Sequence, residues 1–211
     1  IVLAGSNMAW CHPTLFQRIV RAREARPSLR VVAIDPRRTA TCELADLHLP
    51  VKPGTDVWLF NGLLCHLARM GAVDEAFVAA HTEGLDAALA AAGADCADPA
   101  QVAKRCGIDP AQLQAFYDAF AATRKVVTAF SQGVNQSSAG TDKVNAILNC
   151  HLATGRIGRP GTGPFSVTGQ PNAMGGREMG YMGPGLPGQR VVLSADDRAF
   201  VETQWNLEPG T

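Results

Sequence analysis

Four short polar segments in this chain each follow a run of apolar residues, and each carries side chains suited to gripping a polar ligand. After "IVLA" comes Gly5-Ser6-Asn7, where Gly5 permits a tight turn and Asn7 offers both a donor and an acceptor. "DPRRT" supplies Asp35, placed where an acid can accept from ribose hydroxyls, and Arg37 and Arg38, which suit phosphate oxygens or a purine face. In "KPGTD", Asp56 could accept two hydrogen bonds from a guanine edge, and it reads equally as the cap of the helix that follows. "SQGVNQSSAG" brings the side-chain amides of Gln132, Asn135 and Gln136, which can read the edge of a heterocycle or simply stabilise a turn. The two arginines also read as a solvated surface loop. Taken singly each signal is weak; together they point to a nucleotide-like ligand. The dinucleotide fingerprint G-x-G-x-x-G is absent, which disfavours an ordinary NAD dehydrogenase domain and leaves a non-redox nucleotide-binding module as a competing reading.

These segments need elements that bring them together. "IVLAGS" reads as a buried strand ended by a Gly-Ser turn, a helix is expected from Pro13 to about Ala25, and "LRVVAID" reads as a second strand, making a βαβ unit with a right-handed crossover. "LHLPV" (47–51) and "VVTAFS" (126–131) read as further strands. Helical patterns lie between them: "TDVWLFNGLLCHLARMG" begins with Thr55 or Asp56 as N-cap and stops at Gly71, and the two "DPAQ" segments open helices with Asp98 and Asp109 as caps and proline at the first helical position. A helix is expected from Thr141 to about Thr154, stopped by Gly155, and "SADDRAFVETQWN" reads as a closing helix. The alternation predicts an α/β fold, a Rossmann-like parallel sheet flanked by helices, followed by part of a second α/β domain with a long Gly-rich loop. The character of the chain changes near residue 131, which places the expected domains at 1–131 and 132–211. In a parallel sheet, ligands sit at the carboxyl ends of the strands, where all four polar segments fall.

Composition narrows the class. The 211 residues are 46% hydrophobic, enough for a sizeable core, and the formal net charge of zero argues against general binding to nucleic acid or membrane surfaces. No run of 18 apolar residues occurs. Six cysteines (Cys11, Cys42, Cys65, Cys96, Cys106 and Cys150) are scattered, with no pair closer than the 10 positions between Cys96 and Cys106, so no zinc or iron–sulfur spacing is present and reduced, buried thiols are expected. The chain opens directly in an apolar strand without Met, which reads as a piece of a longer protein.

Eleven of the 21 glycines fall between Gly155 and Gly188, and "GTGPFSVTGQPNAMGGREMGYMGPG" (161–185) shows no helical or strand period. Loops of this length are usually functional or disordered.

The segments "GSNMAWCHP", "IDPRRTATCELADLHLPVKPGTD", "SQGVNQSSAGTDK", "NCHLATGRIGRPGTGPFSVTGQPNAMGGRE" and "WNLEPGT" closely resemble the catalytic subunits of bacterial molybdenum nitrate reductases, within the dimethyl-sulfoxide-reductase family of molybdopterin oxidoreductases. The resemblance covers nearly the whole chain and is most specific at 150–180; residues 82–125 are poorly distinctive. It implies a bis-molybdopterin guanine dinucleotide cofactor with molybdenum and two-electron reduction of nitrate to nitrite. It implies that Gly5, Ser6, Asn7 and Met8 line one cofactor arm, that Asp35, Arg37 and Arg38 with Gly54, Thr55 and Asp56 hold its guanosine end, and that Gln132, Gly133 and Gln136 approach the pterin. The "TGQPNAMGGRE" loop would run close to the metal, with Gln170 and Arg177 facing the substrate funnel and Met174 packing nearby. Arg177 would grip nitrate, since an oxyanion wants a fixed guanidinium; a structural role for Arg177, paired with Glu178 or a backbone carbonyl, is the alternative. The family's four-cysteine iron–sulfur motif, its protein ligand to molybdenum and the lysine bridging cluster and pterin would all lie before "IVLAGS", so no metal ligand is expected here and the piece should not catalyse alone. The "DPRR" and "PGTD" forms look more like assimilatory, cytoplasmic enzymes than periplasmic ones. Formate dehydrogenases of the family differ at "QPNAMGGREMG", which disfavours formate as substrate. The electron donor is not implied.

Overall fold

A computed structural model describes residues 1–169, 173–179 and 185–210. They divide into two compact units, Ile1–Gly169 and Gln170–Thr211. In the first, β1 (Val2–Ala4) leads into a one-turn helix α1 (Met8–Cys11) and then α2 (Pro13–Ala25), with Pro13 at the first helical position, where its missing N–H costs nothing. Next come β2 (Val32–Ile34), a short 3-10 turn (Ala40–Glu43) and β3 (Leu47–Leu49). Five helices follow: α3 (Asp56–Arg69), α4 (Glu75–His81), α5 (Leu85–Cys96), α6 (Pro99–Cys106) and α7 (Pro110–Ala122). The expected caps are present, since the Asp98 carboxylate accepts from Ala100 N at 2.9 Å and Asp109 from Ala111 N and Gln112 N at 2.9 and 3.1 Å. Thr55 occupies the N-cap of α3 without a capping side-chain bond, its hydroxyl donating instead to the Lys52 carbonyl at 2.7 Å.

β4 (Val127–Phe130), a short helix α8 (Gln132–Asn135), α9 (Gly140–Ala153) and β5 (Gly163–Ser166) complete the unit. All five strands are parallel, in the order β3-β2-β1-β4-β5, with Val2 opposite Val32 and Thr128, and Val127 opposite Gly163. β5 was not expected from the sequence. It lies inside the segment that shows no period, and its pairing with β4 carries the unit past residue 131 to Gly169, so the compact division falls later than the change of character in the sequence.

The main core lies between the sheet and α3, α5, α6, α7 and α9, built from Leu59, Phe60, Leu63, Leu64, Leu113, Phe116 and Ile147 among others. Tyr117 is fully buried there, and its hydroxyl donates to the Leu59 carbonyl at 2.7 Å, which satisfies the one polar atom of a large apolar side chain. A Cβ on Gly62 would collide with that hydroxyl, so the helix needs glycine here to admit the tyrosine. His151 is also fully buried, with Nε2 2.8 Å from Thr128 Oγ1; burial first, and then Arg156, lower its pKa to about 4. A smaller cluster on the other face joins Leu3, Met8, Ile19, Val31 and Ala129.

The second unit holds α10 (Ala173–Glu178) and α11 (Ala195–Trp205), whose N-cap Ser194 accepts from Asp197 N. An antiparallel bridge joins Leu186 and Arg190, and the Arg190 guanidinium lies 3.7 Å from the Phe200 ring centroid. Among the described residues no helix is long and apolar enough to cross a membrane.

Candidate functional site: a cleft at the carboxyl ends of the strands

Strand order reverses at β1, which has β2 on one side and β4 on the other. Crevices open at such switch points because successive crossovers leave in opposite directions. A cleft of about 610 Å³ lies here, lined by Ser6 and Asn7 after β1, Asp35 and Arg37 after β2, Gly54 and Asp56 after β3, Ser131, Gln132 and Ser137 after β4, and Lys143 from α9.

Its floor is backbone. Gly5 sits at φ +54°, donates its N–H to the Ile34 carbonyl at 2.9 Å and accepts from Gly133 N at 3.0 Å. A Cβ on Gly5 would lie 2.9 Å from Gly133 Cα, and one on Gly133 would lie 2.7 Å from Gly5 Cα. The two turns after β1 and β4 are therefore pressed together at a point that only a pair of glycines allows. Both glycines line the cleft, but the space where their side chains would be is filled by each other rather than left for a ligand.

Asn7 adopts the left-handed conformation at φ 38°, which asparagine tolerates, and its Oδ1 accepts from Thr41 Oγ1 at 3.4 Å. Ser6 is 3% exposed, and its hydroxyl, buried at the cleft, has no hydrogen-bond partner among the described residues. Asp35 closes a turn on Arg37 N at 2.9 Å, which sets the start of the arginine loop. Asp56 begins α3 and pairs with Lys143, Oδ2 to Nζ 3.0 Å, both side chains buried. The Gln132 side chain packs on Gly169, where a Cβ would meet its Nε2 at 2.9 Å.

Several expected residues fall elsewhere. Met8 is fully buried in the small core cluster, because the residue after the left-handed Asn7 turns inward. Arg38 lines a separate depression with Cys42, Asp46, His48 and Gln112. Thr55 spends its hydroxyl on Lys52, and Gln136, just after α8, is exposed; neither lines the cleft. Arg177 lies on α10 in the second unit and is exposed. Gln170 lies outside the described residues, and of Met174 only the helical backbone is described.

Lys143 was missed. It sits on the buried stripe of α9 with Ala146, Ile147 and Cys150, and a lysine in phase with an apolar stripe signals a buried charge that needs a partner. Among the described residues no three or more His, Cys, Asp or Glu side chains come together in a way that could hold a metal ion.

The arrangement can hold a polar ligand with N–H groups for Asp56, hydroxyls for Asp35, anionic oxygens for Arg37 and an acceptor for Ser6. Comparison with known proteins bears on which one. The chain is 51% identical over 208 residues to a nitrate reductase of Klebsiella oxytoca, covering 99% of this chain and 23% of that protein. It is also 51% identical to a nitrate reductase of Shewanella frigidimarina, over 91% of this chain and 21% of that protein. It thus spans between a fifth and a quarter of the length of these relatives. Acetylene hydratase from Pelobacter acetylenicus shares the fold, with a TM-score of 0.67 at 20% identity over 76% of this chain and 22% of that one. The family model for molybdopterin oxidoreductases matches residues 1–206, so the chain belongs to the molybdopterin oxidoreductase family, and that membership implies a molybdenum–pterin cofactor.

Proposed function

We propose that this chain is the cofactor-binding central portion of a molybdenum-dependent nitrate reductase, cytoplasmic and assimilatory, whose cofactor is a bis-molybdopterin guanine dinucleotide and whose iron–sulfur cluster is held by residues outside the chain. The observation that carries this reading is the similarity to nitrate reductases over nearly the whole chain, taken with a switch-point cleft whose side chains suit a nucleotide. The cleft fits such a group. Ser6 offers a buried hydroxyl without a partner among the described residues, Asp56 an acceptor for a base edge, Asp35 an acceptor for ribose hydroxyls, and Arg37 a planar donor for phosphate oxygens.

The bound cofactor would supply the two electrons that convert nitrate, with two protons, to nitrite and water. This chain's residues bind and orient it: Ser6, Asn7 and Gln132 toward the pterin, Asp35, Arg37, Gly54 and Asp56 toward the guanosine end. Arg177 is assigned to nitrate, where a planar guanidinium can hold two oxygens and stabilise charge on the departing one. By itself the 211-residue chain has no cysteines at iron–sulfur spacing and would be inactive.

Arg177→Lys in the full-length enzyme tests the assignment. It keeps the charge and loses the fork, so KM for nitrate should rise and kcat should fall, together lowering kcat/KM by about 100-fold or more, with molybdenum content unchanged. Reduced-viologen assays and metal analysis give both quantities; unchanged kinetics at full loading would leave Arg177 structural. Absence of guanosine nucleotide or molybdenum from the wild-type enzyme would refute the cofactor reading.

A further inference from the structure

Lys143 is 3% exposed, and an ammonium that loses its hydration needs an ionic partner. That partner is Asp56, on a helix 87 positions earlier in the chain, and both residues line the cleft. The rest of the buried stripe of α9 is apolar or small (Gly140, Ala146, Ile147, Cys150, Ala153) apart from His151, which pairs with Thr128, and α3 and α9 already meet in the main core that holds Phe60, Leu64 and Ile147. An apolar side chain of similar length would pack there at less cost than a buried ammonium, so holding two helices together does not explain it. Its effect on Asp56 does. The ammonium occupies Oδ2, offsets the carboxylate's charge and fixes its rotamer beside the cleft.

We infer that Lys143 is a positioning residue for the nucleotide end of the cofactor, holding Asp56 so that its remaining acceptor positions meet a base edge carrying two adjacent N–H donors. This deepens the reading of the cleft given above and rests on it. Guanine presents such an edge through N1–H and the exocyclic N2 amine. Adenine places an acceptor beside its amine and would leave one carboxylate oxygen facing a lone pair. Without Lys143, Asp56 is a buried charge without a counter-ion, free to turn toward any other donor, and the base loses its fixed partner. Lys143 touches Asp56 and acts through it.

The test uses the full-length enzyme with Asp56→Asn, Lys143→Met, the double variant, and Lys143→Arg. Readouts are guanosine nucleotide freed by acid hydrolysis per protein, the half-time of cofactor release after dilution, and far-ultraviolet circular dichroism. Each single variant should shorten the release half-time by about tenfold or more, the double should be no worse than the poorer single, and Lys143→Arg should restore retention to within about threefold of wild type, all with unchanged dichroism. If Lys143→Met fails to fold, Lys143→Gln, which keeps a donor and loses the charge, is expected to give the same non-additive loss. Release that is normal in Lys143→Met (or in Lys143→Gln) while Asp56→Asn is impaired would overturn the inference and leave the cleft assignment standing. Losses that add in the double variant would overturn it as well, by making the lysine a separate contact. Normal release in Asp56→Asn itself would instead remove the guanine reading of the cleft.

Discussion

Asp46 and Asp56 stand at opposite ends of the same edge strand, β3, and they are treated in opposite ways. Before the strand, Asp46 is surrounded by donors: Arg23 at 2.6 Å, Arg30 at 3.3 Å and the Val31 N–H at 2.8 Å. With Arg23 also donating to the Leu44 carbonyl, this carboxylate ties the end of α2 and the start of β2 to the chain entering β3. After the strand, Asp56 is more deeply buried, and its ion pair among the described residues is with Lys143, beside a cleft. A carboxylate whose lone pairs are filled by its own fold is structural. One that is buried, charge-compensated and lines a crevice is, on the reading proposed above, an acceptor for a ligand.

The largest expected effect would break the crevice end outright. Gly133→Ala drives a Cβ into the Gly5 backbone, and Gly5→Ala adds a left-handed conformation to the same collision. Gly5→Ala should cost about 3 kcal/mol or more, since overpacking costs about 1–3 kcal/mol and the left-handed backbone about 1–2 more, and Gly133→Ala about 3 kcal/mol from overpacking alone. Denaturant midpoints would show it, and a neutral Gly133→Ala would mean that the floor can spread.

His151 sharpens the contrast from the core side. Its pKa is lowered from 6.5 to about 4 in the folded protein by burial and then by Arg156. Between those values the unfolded chain binds the extra proton, so the contribution is complete above pH 6.5 and is lost as the pH falls toward 4. The loss amounts to about 3 kcal/mol at most. Unfolding titrations across that range should show it, and His151→Gln should remove that part of the slope.

Exchanging the fates of the two aspartates would break the comparison directly. Asp46→Ala should lower stability by about 1.5–3 kcal/mol with nucleotide content unchanged. Asp56→Ala should empty the cofactor site and also lower stability, because it leaves the Lys143 ammonium buried without its counter-ion, so loss of nucleotide is what separates the two variants. Paired melting curves and nucleotide assays decide. The smallest effect is expected at Gly54, which has φ +88° and open space where a Cβ would stand, with no neighbouring atom within 4 Å of it. Gly54→Ala should therefore cost about 1–2 kcal/mol from backbone strain alone.

Much of this end of the molecule was legible in the sequence. Strands β1 to β4, the caps Asp98 and Asp109 and the strand-end positions of Ser6, Asp35, Arg37 and Asp56 follow from apolar runs, capping chemistry and the crevice rule. β5 did not, because "GPFS" has neither alternation nor β-branched residues, and its strand geometry is imposed by pairing with β4. Met8 and Thr55 were named through the resemblance and Arg38 also through its chemistry, and the structure puts their side chains outside the cleft lining, since neighbouring side chains in a turn point in different directions. Lys143 was left out because helix lysines are ordinarily solvated, and only the phase of its stripe marks it as buried. The assignment of Arg177 to nitrate rests on the resemblance alone, since a lone arginine among glycines carries no geometry of its own.

The Gly5–Gly133 contact has a consequence for how such a protein can diversify. A floor made of two peptide planes has no side chain to exchange, so substitution cannot deepen it, tilt it or recharge it. Variation in what the crevice accepts has to come from its walls, the residues after β2 and β3 and those on α9, while the base plate stays the same. A lineage exploring new ligands on this scaffold would accumulate its differences at the rim and treat the two glycines as a single inherited character, since loss of either is uncompensated by any change in the other.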